Sequence, residues 1–202
     1  MLRIPLPPWS LVVATDQPGL LLNALLRRFD LSVALDFYVE EELKEVVKVL
    51  AKSDEVDLLL SPHACRLVAR ASCGLPRKAM QHLRSLKRHY RNADDRQLGK
   101  TDVKEYLKFM GISEMGLGPI EFRYLKALAD RGTASQESLA LAIGRDMIYV
   151  RRQIEPVLAR LNLLAIAPGG RQLTPLGKTQ VEELRKINPE LTPEKDEDND
   201  DD

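Results

Sequence analysis

Two short runs of the sequence contain residue types that hold phosphate groups in nucleotide-binding loops. Gly99-Lys100-Thr101 and Gly177-Lys178-Thr179 each reproduce the last three positions of a P-loop. That loop also needs a glycine five residues before the second glycine, where this chain has Asp94 and Gln172. Neither run therefore predicts a nucleotide site, and we expect Thr101 to cap the helix that follows it.

The histidines and cysteines are metal-ligand types, but their spacing does not favour a metal site. Cys65 and Cys73 are eight residues apart, whereas structural zinc sites normally use closely spaced pairs. His63 and His82 fall at ordinary positions of predicted helices. We expect no metal and no cofactor for this chain alone, and no nucleophile–histidine arrangement can be named.

Arginines are the strongest chemical signal in the chain. Arg145, Arg151 and Arg152 fall in or next to one predicted helix, and Arg171 lies at a predicted hairpin turn. A basic helix together with a basic turn is what contact with nucleic-acid phosphates requires. These four residues are the candidate DNA-binding residues. A further basic run, at residues 74–100, is more typical of a solvated helix face.

The elements that carry these arginines have the order of a winged helix-turn-helix. Helical periodicity covers residues 119–131, 135–143 and 146–162. Residues 163–173 then predict a strand, a turn and a second strand, and the third helix would enter the major groove. Pro156 lies inside that helix and should kink it. Many winged helices bind only proteins, so that alternative stays open.

Upstream of the linker at residues 116–119, the pattern predicts a helical bundle. Four amphipathic helices are expected between residues 40 and 110, from the spacing of Leu43, Val46, Val47, Leu50, Ala64, Leu67, Val68, Ala71, Met80, Leu83, Leu86, Tyr90, Val103, Tyr106, Leu107 and Met110. Before them, residues 9–15 and 31–35 predict two short strands around a helix at 20–28.

Composition and charge exclude several classes of protein. The chain has 202 residues, and its apolar runs are too short for a membrane span or a signal peptide, so we expect a cytoplasmic protein. Its net charge is zero, but residues 190–202 hold eight acids and one lysine, which leaves 29 basic and 22 acidic residues elsewhere. A basic body with an acidic, disordered tail is expected, and a basic body is compatible with nucleic acid.

Taken in order, the motifs resemble those of the RuvB family, the hexameric AAA+ motors that drive branch migration of Holliday junctions. The resemblance covers about residues 2–185. Its segments are Pro7 to Leu20, Arg28-Phe29, Leu35 to Tyr38, Gly74 to Arg77, Gly111 to Leu117, Ile154-Glu155-Pro156 and Pro168 to Arg171. Each segment is weak alone, but their order and spacing together are specific.

The resemblance implies a mostly α-helical fold in four parts. Residues 1–38 would be a strand-helix-strand remnant of the AAA+ large domain, 39–115 a four-helix AAA+ lid, 116–187 a DNA-binding winged helix and 188–202 the acidic tail. The family's P-loop, its acidic metal-holding strand and its RuvA-binding hairpin all precede the sensor-1 strand. We therefore expect ATP and Mg²⁺ to act only in a complete motor, and a role for RuvA stays open.

Roles at the ATP site are also implied by the resemblance. Arg28 would be the arginine finger that reaches a neighbouring subunit's nucleotide. Thr15 and Asp16 stand at the sensor-1 position, and Arg77 at sensor 2 would contact the γ-phosphate. The family usually has Thr or Asn where this chain has Asp16, and an anion facing a phosphate puts that sensor in doubt.

The DNA-binding end departs from the family as well. Ile166 and Gly169 stand where the family's wing has arginines, whereas Arg151 and Arg152 stand where its relatives are acidic. DNA contact is therefore expected to move from the wing to the helix. Three interpretations remain: the C-terminal half of a RuvB-type motor, one part of a motor whose P-loop half is another chain, or a stand-alone winged-helix DNA binder or regulator.

Overall fold

The computed structural model describes residues 8–15, 17–91 and 96–191. The chain divides into two compact units, Met1–Asp36 and Phe37–Asp202. The expected class is confirmed, since the described residues are mostly helical and include one small sheet. Asp16 and the acidic residues after Leu191 lie outside the described residues. Within the described ranges, no helix has both the length and the apolarity that a membrane span requires.

The first unit contains a 3-10 turn at Pro18–Leu20 and a short helix α1, Asn23–Leu26. The strands expected at residues 9–15 and 31–35 do not form, and these stretches have no regular structure. A strand is stable only when a neighbour pairs its backbone and other side chains cover its apolar face. Here Val12 and Leu35 are each 92% exposed, so that cover is missing.

The second unit begins with the predicted bundle, which the structure confirms. Its helices are α2 (Glu40–Ala51), α3 (Pro62–Ala71), α4 (Pro76–His89) and α5 (Lys100–Phe109). Their buried faces form one apolar cluster that includes Leu43, Val47, Leu67, Leu83, Leu86, Val103 and Tyr106. This bundle is called the lid below.

The first residue of the lid's last helix corrects one expectation. The N-cap of α5 is Gly99 and not Thr101, which is already the second residue of the helix. The Asp102 carboxylate accepts the Gly99 backbone N–H at 2.6 Å. An acid three residues into a helix commonly closes its N-terminus in this way, so the side chain of Asp102 does what was expected of Thr101.

The winged helix follows, in the predicted order. Its elements are α6 (Pro119–Arg131), β1 (Thr133–Ala134), α7 (Gln136–Ala142), α8 (Met147–Tyr149), a π-helical segment (Val150–Ile154), α9 (Glu155–Arg160), β2 (Leu164–Ala167), β3 (Gly170–Leu173) and α10 (Pro175–Ile187). The three antiparallel strands are ordered β1-β3-β2. A second apolar cluster, including Phe122, Leu125, Leu128, Leu139, Ile154, Leu158 and Leu184, fills the centre.

Hydrogen bonds to backbone carbonyls connect the lid to the winged helix. The Cys73 thiol donates to the Met115 carbonyl at 3.2 Å, and the Asn188 amide donates to the Gly111 carbonyl at 3.2 Å. The backbones also approach closely, because a Cβ on Gly116 would lie 2.0 Å from the Ala71 carbonyl oxygen. Only glycine fits at position 116, whose φ of +78° also favours it.

Candidate nucleic-acid interface

The third helix of the winged helix is continuous but not regular. It comprises α8, the π-helical segment and α9, and the Asp146 carboxylate caps its start by accepting the Tyr149 N–H at 2.8 Å. In the π segment, the Glu155 N–H donates to the Val150 carbonyl, five residues earlier. Pro156 follows immediately and has no N–H to donate. The break expected at Pro156 is therefore a widened turn just before it.

The two faces of this helix differ sharply in character. Val150, Ile154 and Leu158 are buried in the apolar cluster. Arg151 and Arg152 are exposed, and so is Arg145, whose guanidinium lies 5.6 Å from the Tyr149 ring centroid. The three candidate arginines are therefore exposed residues of one helical segment and the turn that leads into it. The term arginine face is used below for Arg145, Arg151 and Arg152.

The wing is the hairpin of β2 and β3, residues 164–173. Ala167 pairs with Gly170, so Pro168 and Gly169 alone form the turn. Among these ten residues the only cation is Arg171. Its guanidinium is turned toward Glu155 of the third helix, with Nε 2.8 Å and Nη2 3.2 Å from the two carboxylate oxygens.

Glu155 is a buried acid, and its carboxylate accepts hydrogen bonds from three side chains. Its side chain is 7% exposed and that of Arg171 is 21% exposed. The Tyr124 hydroxyl and the Gln136 amide also donate to the carboxylate, each at 2.9 Å. This set, called the Glu155 cluster below, joins α6, α7, the third helix and β3. Removing one partner of such a buried ion pair typically costs about 3–5 kcal/mol.

Electrostatics favour the proton-donating forms of two members of the Glu155 cluster, Tyr124 and Arg171. Burial, reinforced by the negative charge of Glu155, raises the pKa of the Tyr124 hydroxyl, so this group remains a hydrogen-bond donor. The hydrogen bond to Glu155 raises the pKa of Arg171, so the guanidinium remains charged. The cluster therefore carries one positive and one negative charge, which cancel within the fold.

The residues assigned to an ATP site lie in both units. Thr15 and Arg28 are exposed and belong to Met1–Asp36, where the Thr15 hydroxyl accepts the Gln17 N–H at 3.0 Å. Arg77 is exposed at the second residue of α4, in the other unit. The structure brings together the arginine face, whereas it places Arg171 against Glu155. Asp16 lies outside the described residues. The assigned roles remain predictions.

The glycine–lysine–threonine runs form no phosphate-binding loop. Gly99 caps α5, and Lys100 and Thr101 are its first helical residues. Gly177 lies in the first turn of α10, where its N–H donates to Thr174 Oγ1 at 3.0 Å. A Cβ on Gly177 would lie 2.2 Å from the Leu163 carbonyl oxygen, so this glycine serves close packing. Within the described residues, neither run offers the amide-lined loop that ATP requires.

The cysteines and histidines considered as metal ligands do not form a common site. Cys65 and Cys73 are buried free thiols, and burial raises the pKa of each. His82 Nδ1 lies 3.3 Å from the Tyr106 hydroxyl, and His63 is exposed. Among the residues that the structure describes, no three histidine, cysteine or acidic side chains are grouped as metal ligands would be.

Comparison with known proteins identifies the winged helix. Residues 114–182 match the sequence family described as the RuvB C-terminal winged helix domain. This segment is similar to the RuvB C-terminal winged helix domain. The matched range begins just before α6 and ends within α10, so it contains the arginine face, the wing and the Glu155 cluster.

Similarity to RuvB extends beyond that domain. The Holliday junction branch migration complex subunit RuvB of Treponema pallidum is 31% identical over 175 residues, which cover 85% of this chain and 49% of the relative. The Rickettsia africae subunit is 33% identical over 176 residues, or 85% of this chain and 51% of the relative. The solved Thermotoga maritima RuvB Holliday junction branch migration motor has a TM-score of 0.72 at 26% identity, covering 81% of this chain and 55% of that one.

The matched regions include only part of each RuvB protein. This chain spans about half the length of the RuvB proteins that it matches. The similarity covers the winged helix and part of the chain that precedes it, since 85% of the chain is more than residues 114–182.

The structure also shows residues of this RuvB-type winged helix that the sequence analysis did not single out. Tyr124 and Gln136 were assigned no role, and Glu155 appeared only within a family motif. One signal was available, because Glu155 lies between Ile154 and Leu158, which fall on the apolar side of a predicted helix. An acid next to a buried stripe requires a partner, and a basic residue on the wing was a suitable one.

Proposed function

We propose that this chain holds the sugar–phosphate backbone of duplex or four-way-junction DNA, as the DNA-binding C-terminal portion of a RuvB-type branch-migration helicase in recombination and repair. The observation that carries this proposal is the arginine face. Arg151 and Arg152 are exposed residues of the helix that a winged helix places in the major groove, and Arg145 is an exposed residue just before its start. Arginine supplies the charge-assisted hydrogen bonds that phosphates accept.

Backbone contact rather than base reading suits this surface. The exposed residues of α8, Met147 and Ile148, are apolar and offer no hydrogen bonds to base edges. In the π-helical segment, Gln153 is the one exposed residue besides the arginines that has such groups. A protein that moves along any sequence must hold the backbone, because base-specific contacts would stall it at preferred sites. We therefore expect little preference for sequence.

The salt dependence of binding tests this proposal. Fluorescence anisotropy with labelled duplex and junction DNA should show weak binding, and the logarithm of affinity should fall linearly with the logarithm of salt concentration. Three phosphate contacts give a slope near −3, at about −0.9 for each phosphate. Replacing both Arg151 and Arg152 with Gln should weaken binding alike on unrelated sequences and reduce the slope by about 2. Loss on one sequence only would instead indicate a sequence-reading regulator.

A second proposal concerns a protein partner for the first unit. Its side chains expose apolar surface that a folded protein normally covers, including Trp9, Val12, Leu20, Leu22, Leu31, Val33 and Leu35. We propose that a P-loop-bearing AAA+ chain covers this segment, and that Arg28 then serves as an arginine finger in its ATP site. No hydrolytic step is assigned to the present chain by itself.

This partner proposal has its own test. A RuvB-type P-loop chain mixed with this protein should hydrolyse ATP faster, and Arg28→Ala should remove that stimulation while leaving the association intact, as measured by calorimetry. An arginine finger acts mainly in the transition state and contributes on the order of 10³-fold in rate. Unchanged turnover after the substitution would instead assign Arg28 to the protein surface.

A further inference from the structure

We propose that Glu155 is a positioning residue for DNA binding, which binds Arg171 within the fold and so leaves phosphate contact to the arginine face. This inference rests on the proposed DNA-binding function and changes one expectation attached to it. The sequence suggested that Arg171, at the wing, would contact phosphates. The surroundings of its guanidinium group point to a structural role.

Both oxygens of the carboxylate are fully used. Oε1 accepts from the Tyr124 hydroxyl at 2.9 Å and from Arg171 Nε at 2.8 Å. Oε2 accepts from the Gln136 amide at 2.9 Å and from Arg171 Nη2 at 3.2 Å. The arginine is thus held in the two-pronged geometry that fixes both the distance and the plane of a guanidinium group.

A DNA phosphate cannot replace this carboxylate without a large penalty. Withdrawal of Arg171 would remove the cation with which Glu155, 7% exposed, forms its ion pair. A phosphate approaching Arg171 in place would also approach the negative charge of Glu155. The pair is neutral as a whole, so the wing adds no net charge to the DNA-binding surface.

The π segment explains why Glu155 binds the wing rather than its own helix. In a regular α-helix, residues three and four positions apart share a face, so Glu155 would lie beside Arg151 and Arg152 and pair with them. The bond from the Glu155 N–H to the Val150 carbonyl adds one residue to the turn. Glu155 is consequently buried, while Arg151 and Arg152 stay exposed.

Matched glutamine variants separate a positioning role from a phosphate contact. Arg171→Gln should leave the salt slope within about 0.3 of the wild-type value, whereas Arg151→Gln, the control on the arginine face, should reduce it by about 0.9. Glu155→Gln releases the positive charge of Arg171, so the slope should steepen by up to about 0.9. An Arg171→Gln slope that falls as far as that of Arg151→Gln overturns the proposal.

Two further measurements test whether a change in the salt slope comes from a general loss of structure in the domain. Tyr124→Phe removes one donor to Glu155 without changing any charge, so its slope should match wild type. A slope that steepens as much as in Glu155→Gln would show that loosening, and not the freed charge, is responsible. Circular dichroism identifies any variant that fails to fold. Loss of one partner of the buried pair is costly, so if Arg171→Gln or Glu155→Gln does not fold, the resonance of the unmodified protein described below decides the matter.

Nuclear magnetic resonance tests the pairing on the unmodified protein. The Arg171 Nε–H signal should exchange slowly with water in the absence of DNA and should keep its position when duplex is added, while the Arg151 signal moves. A shift of the Arg171 signal on DNA addition overturns the positioning role. If no arginine signal moves and no binding is measured, the DNA-binding proposal itself fails, although slow exchange at Arg171 would still establish the pair.

Discussion

The guanidinium of Arg160, at the end of the third helix, lies 3.8 Å from the ring centroid of Phe37 and donates a hydrogen bond to the Cys73 carbonyl of the lid. Cys73 directly precedes the Gly74-Leu75-Pro76-Arg77 segment that begins α4. A Cβ on Gly74 would lie 2.8 Å from Arg160 Nη1, so this glycine makes room for the guanidinium. One side chain thus connects the third helix of the winged helix to the start of the helix that carries Arg77.

Arg160→Met should loosen this connection. It removes a cation–π contact and a charge-assisted hydrogen bond but keeps the length of the side chain, so we expect a loss of about 1–2 kcal/mol in the free energy of unfolding. Urea denaturation measures the loss, and hydrogen exchange should speed up at the amides of Cys73 to Arg77. Arg66→Met is the control, because it breaks an exposed ion pair with Glu41, worth under about 1 kcal/mol. Equal losses in both variants would contradict a connecting role.

His82 should make stability depend on pH. Burial lowers its pKa to about 4, while an unfolded histidine titrates near 6.5. The unfolded chain therefore binds the extra proton first as the pH falls. The stability that neutral His82 contributes is complete above about pH 6.5 and is lost toward pH 4, by up to about 3 kcal/mol.

Urea denaturation between pH 4 and pH 7.5 would measure this dependence. His82→Gln should flatten the profile over that interval, although the variant starts from a lower stability at neutral pH because the contact with Tyr106 changes. His63→Gln is the matched control, since His63 is exposed at the start of α3. A profile unchanged in His82→Gln would assign the pH dependence to other groups.

Local signals in the sequence were sufficient for the helical parts of the fold. Apolar spacing around Leu43, Leu83 and Phe122 predicts helices whose buried faces the structure confirms, because a helix needs only its own backbone bonds and one packed stripe. The hairpin was equally visible, since Pro168 and Gly169 mark a turn between the apolar run at residues 163–167 and the short segment at 171–173. The strands near Val12 and Val33 failed because a strand depends on partners that local sequence does not reveal.

The candidate site was harder to predict than the fold. The positions of Arg151 and Arg152 on the third helix, and of Arg145 just before it, follow from periodicity alone. Whether a basic residue faces solvent or an internal acid depends on contacts between residues far apart in sequence, such as Arg171 and Glu155, sixteen residues away. The π segment beside Glu155 contains one residue more per turn than a regular α-helix. The spacing of apolar residues in the sequence does not reveal so small a change.

The acidic tail should weaken DNA binding at low salt. Residues 192–202 contain seven acids and one lysine, and they compete with phosphates for the same basic surface. Deleting them, which preserves the Pro189–Leu191 turn, should strengthen binding at 50 mM salt and have little effect at 300 mM, where such charges are screened. A tail of equal length with Asn and Gln in place of the acids should behave like the deletion. An equal gain at both salt concentrations would argue against charge competition.

Gly169→Arg should add a phosphate contact at the tip of the wing. Gly169 is exposed and has no atom within 4 Å of an added Cβ, so a side chain fits there without displacing a neighbour. The new charge should steepen the salt slope by about 0.9 and strengthen binding without loss of stability. Gly169→Gln, which adds similar length and no charge, should leave the slope unchanged. A Gly169→Arg protein with an unchanged slope would mean that the wing tip does not approach DNA.

Gly170→Arg is the opposite case, because its φ of +127° and the Ala134 carbonyl oxygen 2.7 Å from its Cβ position leave no room for a side chain. That variant should lose on the order of 2 kcal/mol or more in thermal unfolding.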